Sequence, residues 1–129
     1  MAERYCMTQI AIRIGFLTME AELNDTQTAR QVADALPIRS GFSTWGDEIY
    51  FAIPIAAELE ADAREVVEMG DLGYWPPGNA FCIFFGPTPM SQADEIRPAS
   101  AVNLIGKVIG DATLFKAVMQ EREVILEAV

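Results

Sequence analysis

The residues with the most chemical content lie in two short stretches, T-W-G-D-E-I-Y at residues 44–50 and G-Y-W-P-P-G at residues 73–78. Together they supply Trp45, Tyr50, Tyr74 and Trp75 as aromatic surface and Glu48 as a carboxyl among it. A carboxylate beside indole and phenol rings suits two tasks. It can pair with a guanidinium, for which Arg39 is the candidate, or it can orient a cationic or hydrogen-bonding ligand. Thr88, set between Pro87 and Pro89, adds a hydroxyl that either satisfies a turn or joins the same region.

The chain contains no histidine. That removes Ser-His-Asp and Cys-His nucleophile pairs, H-E-x-x-H zinc sites and imidazole general bases together. A carboxylate site using Glu48 or Asp47 stays open. The two cysteines, Cys6 and Cys82, form neither a C-x-x-C pair nor a disulfide framework, and Cys82 reads as a small buried thiol within an apolar strand. The acidic run over residues 57–68 lacks the glycine and the spaced ligands of a calcium loop, and reads as a solvated face or loop. No metal ion and no cofactor is expected. A formal charge of −10, with basic residues scattered singly, opposes nucleic-acid backbones and anionic lipid surfaces as partners.

The elements that would position these groups follow from local periodicity. Ile10, Ile12 and Ile14 alternate with polar neighbours, as do Leu17, Met19, Ala21 and Leu23, and Gly15-Phe16 between them suits a two-residue type II′ hairpin. Asn24-Asp25-Thr26 offers N-cap oxygens for a helix over residues 26–36, whose apolar stripe is Ala29, Val32, Ala33 and Leu36 and which Pro37 ends. A second hairpin over residues 38–54 turns at Gly46-Asp47, opposing Trp45 to Glu48, Thr44 to Ile49, Ser43 to Tyr50 and Phe42 to Phe51. Alternation then sends Phe42, Ile49, Phe51 and Ile53 to the core and Arg39, Ser43, Trp45, Glu48 and Tyr50 to the other side.

Residues 64–68 offer a short strand. A type II turn at Pro77-Gly78 joins strands over residues 72–75 and 80–85, the latter apolar at every position, as in a strand covered on both faces. Gly86-Pro87-Thr88-Pro89 ends it, and the chain then runs as a polar loop to Ser100. A strand over residues 101–109, a short helix carrying Leu114, Phe115 and Val118, and a last strand over residues 123–129 complete the chain. Many short strands with two brief helices describe a small, mostly antiparallel barrel.

At 129 residues and 51% apolar content, one domain over residues 1–129 is expected, burying roughly two-thirds of its unfolded surface. No apolar run nears the ~20 residues that span a bilayer, and the N-terminal stretch shows no apolar leader with a small-residue cleavage site. A cytoplasmic location is the expectation.

G-D-L-G-Y-W-P-P-G-N-A-F-C-I-F-F-G-P-T-P, with T-W-G-D-E-I-Y-F-A-I-P upstream, resembles the signature of a cyclophilin-like family of small prokaryotic proteins. V-N-L-I-G-K-V-I-G-D-A-T-L-F-K-A-V resembles the strand–turn–helix that ends cyclophilins themselves. The resemblance implies a closed cyclophilin-like barrel of about eight mainly antiparallel strands, with one principal and one short helix. It implies less about chemistry, because the Phe-His-Arg context of the cyclophilin arginine is missing and Arg39 stands in the comparable strand between Ile38 and Ser40.

Three functions follow. The first is a module binding a small molecule or short peptide at Trp45, Glu48, Tyr50, Tyr74 and Trp75, with Arg39 and Thr88 as further candidates. The second is a peptidyl-prolyl isomerase with a non-standard site at Arg39. The third is an interaction protein, a homodimer, whose aromatic patch is the contact. Packing of the same aromatics at the barrel ends is the structural alternative to all three.

Overall fold

The computed structural model describes residues 7–129. The readings of Cys6 and of the N-terminal segment therefore lie outside the described residues. Nine strands are described: β1 (Thr8–Ile14), β2 (Leu17–Leu23), β3 (Ile38–Gly41), β4 (Ser43–Thr44), β5 (Glu48–Ala52), β6 (Asp71–Trp75), β7 (Ala80–Phe84), β8 (Asn103–Ile109) and β9 (Glu123–Ala128). They form one sheet in the order β3-β9-β1-β2-β8-β6-β7-β5-β4, with every pairing antiparallel.

The two edge strands, β3 and β4, follow one another in the chain, so the backbone itself steps from one edge to the other. The result is a nearly closed, mostly β barrel, as the sequence predicted. Phe42 occupies that step. Its N–H donates to the Arg122 carbonyl at 3.3 Å, so it stays with β9 and does not oppose Phe51. The expected single hairpin over residues 38–54 is thus two pieces, and Phe42 is only half-buried at the seam. The inner piece keeps the expected register, Ser43 to Tyr50 and Thr44 to Ile49.

The barrel interior is filled by alternate residues of every long strand: Ile10, Ile12 and Ile14 from β1, Ile49 and Phe51 from β5, Leu72 and Tyr74 from β6, and Phe81 and Ile83 from β7. Phe51 and Phe81 stack with centroids 5.2 Å apart. The helix α1 (Gln27–Ala35) covers one side, capped by Thr26, whose hydroxyl accepts from the Ala29 N–H at 3.2 Å. The second helix, Ala112–Val118, is a 3-10 helix, and it buries Phe115 against Phe85.

A second apolar layer lies on the outer face of the β5–β7–β6 wall. Cys82 and Phe84 point outward there and meet Val67, Ile96 and Val102 from the long segments before β6 and before β8. Residues 64–68 do not form a strand but meet the segment before β8 through two single bridges, Arg64 to Val102 and Val67 to Ile96. Glu60 anchors this acidic segment by accepting from the N–H and hydroxyl of Thr28 at the start of α1. Among the described residues no helix is long and apolar enough to cross a membrane.

Candidate functional site

The hairpin tip at Trp45–Glu48 is closed by the Trp45 N–H donating to the Glu48 carbonyl at 2.9 Å. Gly46 makes the turn possible with φ +61°, and a Cβ there would come within 2.9 Å of the Pro87 carbonyl. The segment Gly86–Pro89 lies across the tip and is tied to it by the Asp47 N–H on the Pro87 carbonyl, 2.9 Å, and the Phe85 N–H on the Asp47 carbonyl, 3.0 Å. The hairpin is therefore held at both ends of its turn.

From that fixed tip, alternation along β5 sends Ile49 and Phe51 inward and Glu48 and Tyr50 outward. Trp75 at the end of β6 also faces outward. The turn that follows is a 3-10 turn over Pro76–Gly78, with the positive φ falling on Asn79 at 48° and not on Gly78. Gly78 serves the tryptophan instead. A Cβ there would stand 2.9 Å from Trp75 Cζ3, so only glycine lets the turn lie flat against the indole. Trp75 Nε1 donates to Ser100 Oγ at 2.7 Å, which ties the ring to the segment before β8.

These elements enclose a cavity of about 260 Å³ lined by Trp45, Glu48, Tyr50, Trp75, Pro98, Ala99 and Val102. Such a volume lies just under the ~300–1,000 Å³ typical of ligand pockets, so its occupant must be small. Val102 reaches the wall because Gly73 has no side chain; a Cβ there would stand 2.9 Å from Val102 Cγ2 and 3.2 Å from Phe84 Cε2.

Glu48 is the unusual member. It is only 6% exposed and pairs with no Lys or Arg among the described residues. Burial raises its carboxyl to about 7, partly opposed by a hydrogen bond from the Cys82 thiol on β7. Burial first, and then the Glu48 carboxylate, push the Cys82 thiol well above its ordinary value, so it stays protonated and inert as a nucleophile.

Four of the seven sequence candidates, Trp45, Glu48, Tyr50 and Trp75, come together. Three do not. Tyr74 is fully buried on the opposite face of β6; its hydroxyl accepts from the Ala57 N–H and lies 3.1 Å from the Ile55 carbonyl oxygen and 3.0 Å from Asn79 Oδ1. For this residue the packing account holds. Arg39 stands on the outer surface of β3, paired with Glu123 at 2.9 Å, and does not approach Glu48. Thr88 is buried in its loop, where its hydroxyl donates to the Arg97 carbonyl and accepts from the Met90 N–H. Sequence reading did not find Pro98, Ala99 and Val102, because a loop that folds back over a sheet leaves no periodicity to read.

The family model of cyclophilin-like proteins matches residues 8–127. The chain belongs to the cyclophilin-like family. A hypothetical protein of that fold from Archaeoglobus fulgidus, AF2241, known from a solution structure, is 43% identical over 100% of both chains, with a TM-score of 0.82. McbB, solved in complex with tryptophan, is 15% identical and has a TM-score of 0.69 over 92% of this chain, which spans 44% of McbB. At that identity the likeness is one of fold alone. No curated protein matches the sequence. The cyclophilin-like barrel expected from the G-Y-W-P-P-G and T-W-G-D-E-I-Y stretches is thereby confirmed, and the aromatic cavity sits on its outer wall.

Proposed function

We propose that this cyclophilin-like protein is a binding module for a small molecule, held in the cavity between Trp45, Tyr50 and Trp75 with Glu48 as its orienting polar group. One observation carries the reading. Glu48 is a buried carboxyl with no basic partner among the described residues, and it forms the wall of an otherwise apolar cavity. A fold gains little from burying such a group, because the single hydrogen bond from the Cys82 thiol opposes its desolvation only in part. A ligand that meets the carboxyl would repay it. That McbB, which shares the fold, has been solved with tryptophan supports reading the scaffold as one that can take a small molecule.

The isomerase reading has less support. Arg39, the guanidinium it relies on, is engaged by Glu123 on another part of the barrel surface. A more open groove of about 500 Å³ continues past Tyr50 and Trp75 toward Ser40 and Arg122, and it extends the reading to a short peptide.

A thermal-shift screen of small metabolites and proline-containing peptides tests the reading. A true ligand at a hundredfold excess over its Kd should stabilise the protein by roughly 2.7 kcal/mol. The shift should vanish in Trp45→Ala while the variant keeps its own cooperative melt. Ligands that stabilise wild type and Trp45→Ala equally would place binding elsewhere. Sedimentation at high micromolar concentration separates this reading from a subunit contact: a monomer supports a ligand pocket, and a dimer lost on Trp45→Ala supports the contact.

A further inference from the structure

We propose that the ligand of the Glu48 cavity is a protonated amine on a small apolar or aromatic body, its ammonium against Glu48 and its body against the indoles of Trp45 and Trp75. The inference rests on the reading of this cavity as a ligand site and adds the chemical class.

Three features of the molecule converge on it. The first is the missing cation. A carboxylate taken out of water is stable only when paired and hydrogen-bonded, and an ammonium group supplies both the charge and N–H donors. The second is the wall. Indole and phenol faces carry negative quadrupoles that attract a cation, and two tryptophans and a tyrosine surround the one carboxyl. The third is the field of the whole chain, whose formal charge of −10 favours cations and opposes anionic ligands. A carboxylate- or phosphate-bearing ligand would meet all three unfavourably.

A neutral ligand is the serious competitor, because a protonated Glu48 could donate to a carbonyl or hydroxyl. The two cases differ in their protons. The titratable groups facing Glu48 are Cys82 from β7 and Tyr50 from its own strand; Trp75 and the segment with Pro98, Ala99 and Val102 bring none. With the carboxyl near 7 in the free protein, an ammonium selects the ionised form and releases about half a proton on binding at neutral pH. A ligand that accepts a hydrogen bond from the acid takes a proton up.

The test uses phenethylamine and its neutral counterpart 2-phenylethanol. The chain has only two tryptophans, Trp45 and Trp75, and both line the cavity, so intrinsic tryptophan emission reports on this site alone. The amine stays protonated, as a lysine does, while Glu48 ionises between about pH 6 and pH 8, so amine affinity should rise roughly tenfold across that range. The alcohol should show no rise, and at the upper end it should bind at least about tenfold more weakly, having no charge to offer. Glu48→Gln should weaken the amine by about thirtyfold or more and abolish its pH trend. Equal binding of amine and alcohol with no pH trend would overturn the amine assignment and leave the pocket standing. No saturable emission change with either probe would overturn it too, and would count against the pocket itself. The wild-type comparison decides the matter even if the variant folds poorly.

Discussion

Tyr74 and Trp75 are neighbours on β6, and their fates show how two apolar regions of one molecule can be built for different ends. Tyr74 turns into the barrel, where three polar partners surround its hydroxyl and the ring is fully buried. Trp75 turns outward, is tied by a single bond to Ser100, and keeps one face on open space. The interior is packed from both sides of the barrel and gives the Tyr74 hydroxyl its partners. The outer layer is a sheet face roofed by two irregular segments, and it leaves one carboxyl without a basic partner among the described residues. A region that is apolar and complete stabilises; one that is apolar and incomplete invites a partner.

The contrast can be broken most strongly inside the barrel. Phe81→Ala removes a ring stacked on Phe51 and should cost about 3–5 kcal/mol in denaturant unfolding. Trp45, half-buried in the outer wall, should cost far less when truncated. Equal losses at the two positions would make the pocket wall part of the core.

Glu48→Gln gives the next largest effect, and its size depends on pH. The carboxyl is raised from 4.5 to about 7 in the folded protein, so the folded state holds a proton that the unfolded state releases. Stability from this group is complete below pH 4.5 and is lost as pH rises through 7. Glu48→Gln should therefore stabilise the protein by roughly 3 kcal/mol at alkaline pH, at ~1.4 kcal/mol per pKa unit, and by little in acid. A variant that is destabilised at every pH would mean that Glu48 has an internal partner and belongs with the complete region.

Gly73→Ala sharpens the boundary between the layers. The added Cβ would press on Val102 and Phe84, and such overpacking costs about 1–3 kcal/mol. Because Val102 lines the cavity, ligand affinity should fall with stability here, unlike at Phe81. Arg39→Ala should be the smallest change. Its pair with Glu123 is exposed, with 65% of the arginine side chain accessible, so stability should move by no more than about 1 kcal/mol. Ligand binding should be untouched. Prolyl isomerase activity that depended on Arg39 would contradict this placement.

Much of this architecture was legible in the residues alone. Period-two alternation defined β1, β2 and β5, the capping run Asn24-Asp25-Thr26 and Pro37 bounded α1, and Gly46 placed the turn that opposes Trp45 to Glu48. Each of these is a local rule, decided by a side chain's shape or by the backbone angle a residue tolerates. Which aromatic would face a ligand was not local. Both faces of β7 are buried, so parity separates Tyr74 from Trp75 without saying which one lies inside. Phe42 left its expected place because β3 sought β9 across 84 residues of chain, as the Arg39–Glu123 pair records. Pro98, Ala99 and Val102 reach the cavity only because the segment before β8 packs over Gly73. The sequence determined most of the strands, the turns at Gly15 and Gly46 and the family; closure of the sheet and the path of two loops over its outer wall decided which carboxyl would be buried without a basic partner, because burial is a property of what lies across space and not of what lies next in the chain.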